Sequence, residues 1–185
     1  MRLFIAVNLT SEIKNAIQHA LDRFPIRQPP WRWITTDNLH VTLKFLGDTP
    51  EELLPPLVDC LAEVGRNHRR FTLKLDRLGG FPNLRNPRVL FYRVSEGAEP
   101  LERLAAEVDR ILLDRLDLPS EAKPFRAHLT VARIKQPLPE KVAARLGEAP
   151  PLPGVSQIVS SLDLMQSELR REGAVYSRLK EIALI

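Results

Sequence analysis

The sequence predicts an α+β chain whose strands and helices recur in two similar halves. Segments with a two-residue alternation of apolar and polar side chains are interleaved with segments of helical period. The connections between several successive strands suit antiparallel neighbours. One phrase, His-x-Thr on an alternating strand, occurs in each half, at positions 40–42 and 128–130. Beyond that phrase the internal repeat is weak.

Leu3 to Leu9 reads as a strand. Thr10 or Ser11 can cap a helix to about Phe24 whose buried face is Ile13, Ala16, Ile17, Ala20, Leu21 and Phe24, and Pro25 ends it. Trp31 to Ile34 leads into the first motif strand, Asn38 to Gly47. Strict alternation puts Leu39, Val41, Leu43 and Phe45 on its core face and Asn38, His40, Thr42 and Lys44 on the other. Thr49-Pro50-Glu51-Glu52 has the form of a capped helix start, and the helix stops near Gly65. His68 falls in a polar surface turn. Phe71 to Asp76 and Val89 to Val94 alternate as strands around a loop beginning Gly79-Gly80-Phe81-Pro82. A helix from about Pro100 to Leu116 precedes the second motif strand, in which Arg126, His128 and Thr130 share a face and Arg133 is turned away. A short helix from Glu140 to Leu146, a strand within Val155 to Met165, a polar turn from Gln166 to Gly173 and a last strand from Val175 complete the chain.

Composition narrows the function. The chain has 185 residues, 44% of them hydrophobic, enough for one large domain or two small lobes. No run approaches the roughly 20 apolar residues that span a membrane. The opening segment is too short for a signal peptide, so a cytoplasmic protein is expected. The single cysteine, Cys60, excludes an internal disulfide and a multi-cysteine zinc site. Net charge is +4, and 20 of the 27 basic residues are arginine. That composition fits phosphate recognition and equally a solvated surface.

Two histidines facing one cleft suit acid–base work near neutral pH, because one can be neutral while the other is protonated. A neutral imidazole takes a proton from water, and a protonated one gives a proton to a leaving oxygen. Threonine hydroxyls beside them can donate to phosphate oxygens. This set suffices for in-line phosphodiester cleavage with no cofactor. There is no metal-ligand spacing, and no Gly-x-x-x-x-Gly-Lys-Ser/Thr loop for ATP. A basic RNA-binding module with purely structural histidines is the non-enzymatic alternative, although 6% aromatic residues is few for a stacking platform.

These residues resemble the two-histidine phosphoesterases, and within them the RNA 2′,3′-cyclic phosphodiesterases, historically called 2′-5′ RNA ligases. The resemblance is carried by Arg2 to Val7, Trp33 to Gly47, Gly79 to Pro82, Phe125 to Arg133, and Ser167 with Gly173 and Tyr176. Ala127 stands where the family often has proline, and Phe91-Tyr92 where it often has tryptophan. The resemblance implies one bilobal domain over residues 1–185, with an antiparallel sheet and outer helices in each lobe and the site in the cleft between the sheets. It implies a monomer acting on RNA ends that carry a 2′,3′-cyclic phosphate, hydrolysed to a 2′-phosphomonoester. By that analogy His128 is the proton acceptor and His40 the proton donor, with Thr42 and Thr130 on the phosphate; the two motifs are chemically alike, so spacing assigns neither role. Arg126 is the best further phosphate contact. Lys44 is either phosphate-facing or solvated. Phe45 alternates onto the core face, but the family places here an aromatic that can stack on a base. Action on small cyclic nucleotides, on a 2′-5′ linkage, or in the ligation direction remains open within the same chemistry.

Overall fold

A computed structural model describes residues 1–23, 31–152, 154–171 and 173–185. The end of the first predicted helix, at Phe24 and Pro25, lies outside the described residues. In chain order the elements are β1 (Arg2–Asn8), α1 (Ser11–Asp22), β2 (Trp31–Trp33), β3 (His40–Asp48), α2 (Leu54–Asn67), β4 (Phe71–Phe81), β5 (Val89–Glu96), α3 (Ala98–Leu116), β6 (His128–Ile134), α4 (Glu140–Gly147), β7 (Ser156–Val159), β8 (Ser161–Arg170) and β9 (Gly173–Ala183). The strands form two sheets, ordered β3-β1-β8-β9 and β2-β6-β5-β4-β7, with every neighbouring pair antiparallel.

One apolar core serves both sheets. Ile5, Val7 and Val41 of the first sheet, Leu73, Leu90 and Val131 of the second, and Ile17, Leu61 and Leu104 of the helices belong to a single cluster. Burying a leucine or isoleucine side chain is worth about 1.5–3 kcal/mol, so this shared core is what holds the two sheets to one another. Their other faces are left for chemistry. On the first sheet that face carries a small cluster of Phe4, Ala6 and Met165, with Tyr176 packed against it.

Several boundaries depart from the sequence reading for local reasons. Thr49 does not cap a helix: its hydroxyl donates to the Gly47 carbonyl. A 3-10 turn over Glu51–Leu53 precedes α2, whose first turn carries the two prolines that need no N–H there. Gly79 and Gly80 lie in β4, not in a loop. A Cβ on Gly79 would come within 2.6 Å of Phe91 Cζ, so the missing side chain lets that ring lie on the strand. The stretch expected as one strand from Val155 to Met165 is two, because the chain leaves the second sheet after Val159 and enters the first at Ser161. The expected polar turn from Gln166 to Gly173 is mostly hairpin, with pairing that reaches Arg170↔Gly173.

Candidate active site

Each motif strand places its histidine and threonine on the face turned away from the core. His40 and Thr42 are half-buried between the buried Leu39, Val41 and Leu43. His128 and Thr130 alternate in the same way with Leu129 and Val131. Strands β3 and β6 are in contact, which brings the two motif strands together where the sheets meet.

Both imidazoles are held alike. His40 Nδ1 lies 2.7 Å from the Asn38 carbonyl, and His128 Nδ1 lies 2.6 Å from the Arg126 carbonyl. A carbonyl only accepts, so each Nδ1 carries its proton and each Nε2 is the basic nitrogen of its ring. Thr42 Oγ1 stands 3.0 Å from His40 Nε2 and can donate to it. Each ring also sits against two aromatics: Phe4 and Tyr176 at 4.9 and 5.2 Å from His40, Phe81 and Phe91 at 5.6 and 5.4 Å from His128.

Burial pushes His40 down to about 4; the Asn38 carbonyl acts against this and the Lys14 charge adds to it. The free protein therefore holds a neutral His40 at pH 7. Between pH 6.5 and 4 the unfolded chain takes up a proton that folded His40 refuses. Stability from this group is full above pH 6.5 and falls as the pH drops towards 4, by up to about 3 kcal/mol. His40→Gln is expected to lessen that fall, which urea unfolding at pH 7 and pH 4.5 would measure.

A β-bulge follows the threonine in both motif strands and changes what comes next. Along β3, Ala6 faces Thr42 and Ile5 faces Lys44, which leaves Leu43 as the extra residue. Along β6, Phe91 faces Thr130 and Leu90 faces Ala132, which leaves Val131 extra. An extra residue reverses the alternation beyond it. Phe45 is therefore not a core residue: it is 59% exposed, with its ring 6.2 Å from Phe4 on the His40 face. Arg133, which strict alternation turns away, returns to the face of His128 and is exposed.

Lys44 is moved the opposite way. It neither faces phosphate nor lies in solvent. At 3% exposure its ammonium is bonded to the Asp109 carboxylate of α3 and, at 2.7 Å, to the Pro119 carbonyl. Burial by itself would raise the Asp109 carboxyl, but hydrogen bonds from Lys44, Ser120 and the Glu121 amide, with the Lys44 charge, hold it below the usual range. The Glu121 carboxylate in turn accepts from the Phe45 amide at 3.3 Å. These bonds tie the segment after α3 to β3 beside Phe45. Arg126 is exposed just before β6.

The sequence reading passed over Phe4, Phe81 and Phe91 as partners of the histidines. Phe4 sits in an unbroken apolar run, so alternation gives it no sign. His68 is not a simple surface residue: it is 14% exposed and its Nε2 lies 2.7 Å from Glu107. It lines a cavity of about 660 Å³ with Asn67, Arg69, Arg70 and Phe71, to which neither motif contributes.

Comparison with known proteins agrees with this geometry. The family model described as LigT like Phosphoesterase matches twice, over residues 7–91 and 93–176, one match for each His-x-Thr half. A Thermus thermophilus protein named RNA 2′,3′-cyclic phosphodiesterase is 36% identical over 100% of this chain and 90% of its own length. A crystal structure of a Thermus thermophilus protein superposes with a TM-score of 0.81 at 34% identity, covering 100% of this chain and 98% of that one. The structure of E. coli LigT complexed with 3′-AMP gives a TM-score of 0.80 at 29% identity, covering 99% and 97%. Two motif strands on one shared core, and a family model met once in each half, place this chain in the LigT-like phosphoesterase family.

Proposed function

We propose that this protein hydrolyses 2′,3′-cyclic phosphate ends of RNA to 2′-phosphomonoesters, with His40 and His128 as the acid–base pair and without a metal ion. The observation that supports the reading is the pair of imidazoles, each with its Nδ1 held on a backbone carbonyl so that Nε2 is the basic nitrogen, on two strands in contact. The curated relatives' name supplies the substrate class.

In the reaction, His128 Nε2 takes a proton from water as its oxygen attacks phosphorus. The bond from phosphorus to the 3′ oxygen breaks, and His40 Nε2 gives that oxygen a proton. One water is added, and the phosphate stays on the 2′ oxygen. Thr42 and Thr130 donate to the phosphate oxygens as charge builds on them. Arg126 adds a cation beside His128, and the exposed Phe45 ring offers a face to the terminal base. Lys44 has no part in phosphate binding and acts through the β3 backbone. The enzyme works as a monomer in the cytoplasm.

His40 begins neutral, so it must gain its proton with the substrate, whose negative charge favours the imidazolium form. The same depressed pKa favours a second reading, in which His40 is the base and His128 the acid. A substrate with sulfur in place of the bridging 3′ oxygen separates the two, since a thiolate leaves with little help from an acid. If His40 is the acid, His40→Ala is expected to recover about 100-fold or more on that substrate relative to the natural one, and His128→Ala is not. Recovery by His128→Ala alone reverses the assignment. Neither variant recovering removes acid–base catalysis by this pair.

A further inference from the structure

The face of the second sheet that carries His128 also carries arginine. Arg93 of β5 is the cross-strand partner of His128, and Arg133 of β6 is the partner of Arg32 of β2. Paired residues share a face about 5 Å apart, so Arg93 is the nearest cation across the ladder from the His128 ring. Next to it, β4 carries one residue more than β5 between Leu75 and Leu78. The exposed Arg77 precedes the buried Leu78 and so takes the His128 face, with Asp76 beside it.

Among the described residues none of Arg32, Arg77, Arg93 and Arg133 enters an ion pair, a condition shared with most other arginines of the chain; only Arg103, Arg110, Arg115, Arg170 and Arg178 hold a carboxylate. What separates Arg93 from an ordinary solvated side chain is that it does not simply point outward. Its Nε lies 3.3 Å from where a Cβ on Gly79 would stand, so the side chain runs along the sheet over the bare backbone of a glycine, next to the Phe91 ring. A glycine inside a strand leaves room for close approach from above. Unneutralised guanidinium groups one strand from the reacting phosphate fit a second phosphate.

We propose that Arg93 with Arg77 binds a phosphodiester of the RNA chain next to the cyclic end, which makes the preferred substrate an oligonucleotide and not a cyclic mononucleotide. This rests on the hydrolase reading above and adds a substrate-length preference to it. The cyclic phosphate sits at His128 and Thr130, and the chain leads away across β5 towards β4.

The test compares kcat/KM on a 2′,3′-cyclic mononucleotide and on a tetranucleotide ending in the same cyclic nucleotide. Wild type is expected to favour the tetranucleotide by at least tenfold. Arg93→Ala is expected to lose about tenfold on the tetranucleotide and the Arg77→Ala/Arg93→Ala double variant more, both staying within twofold on the mononucleotide. The salt dependence on the tetranucleotide should flatten by about 0.7 in log–log slope per arginine removed. Arg93→Lys should keep most of the preference. Equal efficiency of wild type on both substrates overturns the proposal while leaving the hydrolase reading intact. So does an equal loss on both substrates in Arg93→Ala, which would put Arg93 on the cyclic phosphate itself. A length preference lost in Arg32→Ala but kept in Arg93→Ala would send the chain the other way and also overturn it. No turnover of either substrate by wild type defeats the hydrolase reading first.

Discussion

Replacing either motif histidine by alanine is expected to lower kcat on a cyclic-phosphate-ended oligonucleotide by about 10³-fold or more, with the fold unchanged by circular dichroism. General acid or base assistance from one placed side chain is typically worth about 10²–10⁴-fold. The double variant should be little worse than either single one, because a base without its acid partner has little left to contribute. Wild-type activity should persist in EDTA, and its dependence on pH should be bell-shaped. Full activity in either single variant, or loss of wild-type activity in the chelator, would remove the two-histidine mechanism. Thr42→Val tests the next layer, since the Thr42 hydroxyl lies 3.0 Å from His40 Nε2. A loss of about 10- to 100-fold in kcat is expected there.

The second large effect is on stability and comes from the ion pair behind the site. Asp109→Asn is expected to cost about 3–5 kcal/mol, measured as the shift in urea unfolding, because it strands the Lys44 ammonium at 3% exposure. Lys44→Met should cost less, about 1–3 kcal/mol, since the methionine keeps much of the buried stem's packing. The carboxylate it leaves behind is 27% exposed and can be rehydrated. The Lys44→Met/Asp109→Leu double variant should recover most of the Asp109→Asn loss, since an apolar pair of similar volume carries no desolvation penalty. An Asp109→Asn protein as stable as wild type would show that the pair is dispensable. Because Glu121 holds the Phe45 amide from the same segment, Lys44→Met is also expected to raise KM more than it lowers kcat.

The residues proposed to do the chemistry were legible because alternation is local. His40 and Thr42, like His128 and Thr130, lie on the near side of their bulges, where the two-residue period still holds. The α2, α3 and α4 boundaries were legible to within a few residues, since their apolar periods and proline signals also lie within one segment. Past each bulge the local rule inverts. Phe45 and Lys44 exchange the faces that alternation assigns them, and Arg133 comes back to the His128 face.

By itself the sequence determined the α+β class, the two equivalent halves, and the pairing of imidazole with hydroxyl on two strands. Tertiary structure alone decided where each strand gains its extra residue, because a bulge is a mismatch of register with a partner strand. For β3 that partner is β1, and for β6 it is β5, each well separated from it in the chain. Lys44 is farther still from Asp109, and His40 farther again from Tyr176. Which cation is neutralised in the core, and which rings bury a histidine, follow from contacts that a one-dimensional pattern does not contain.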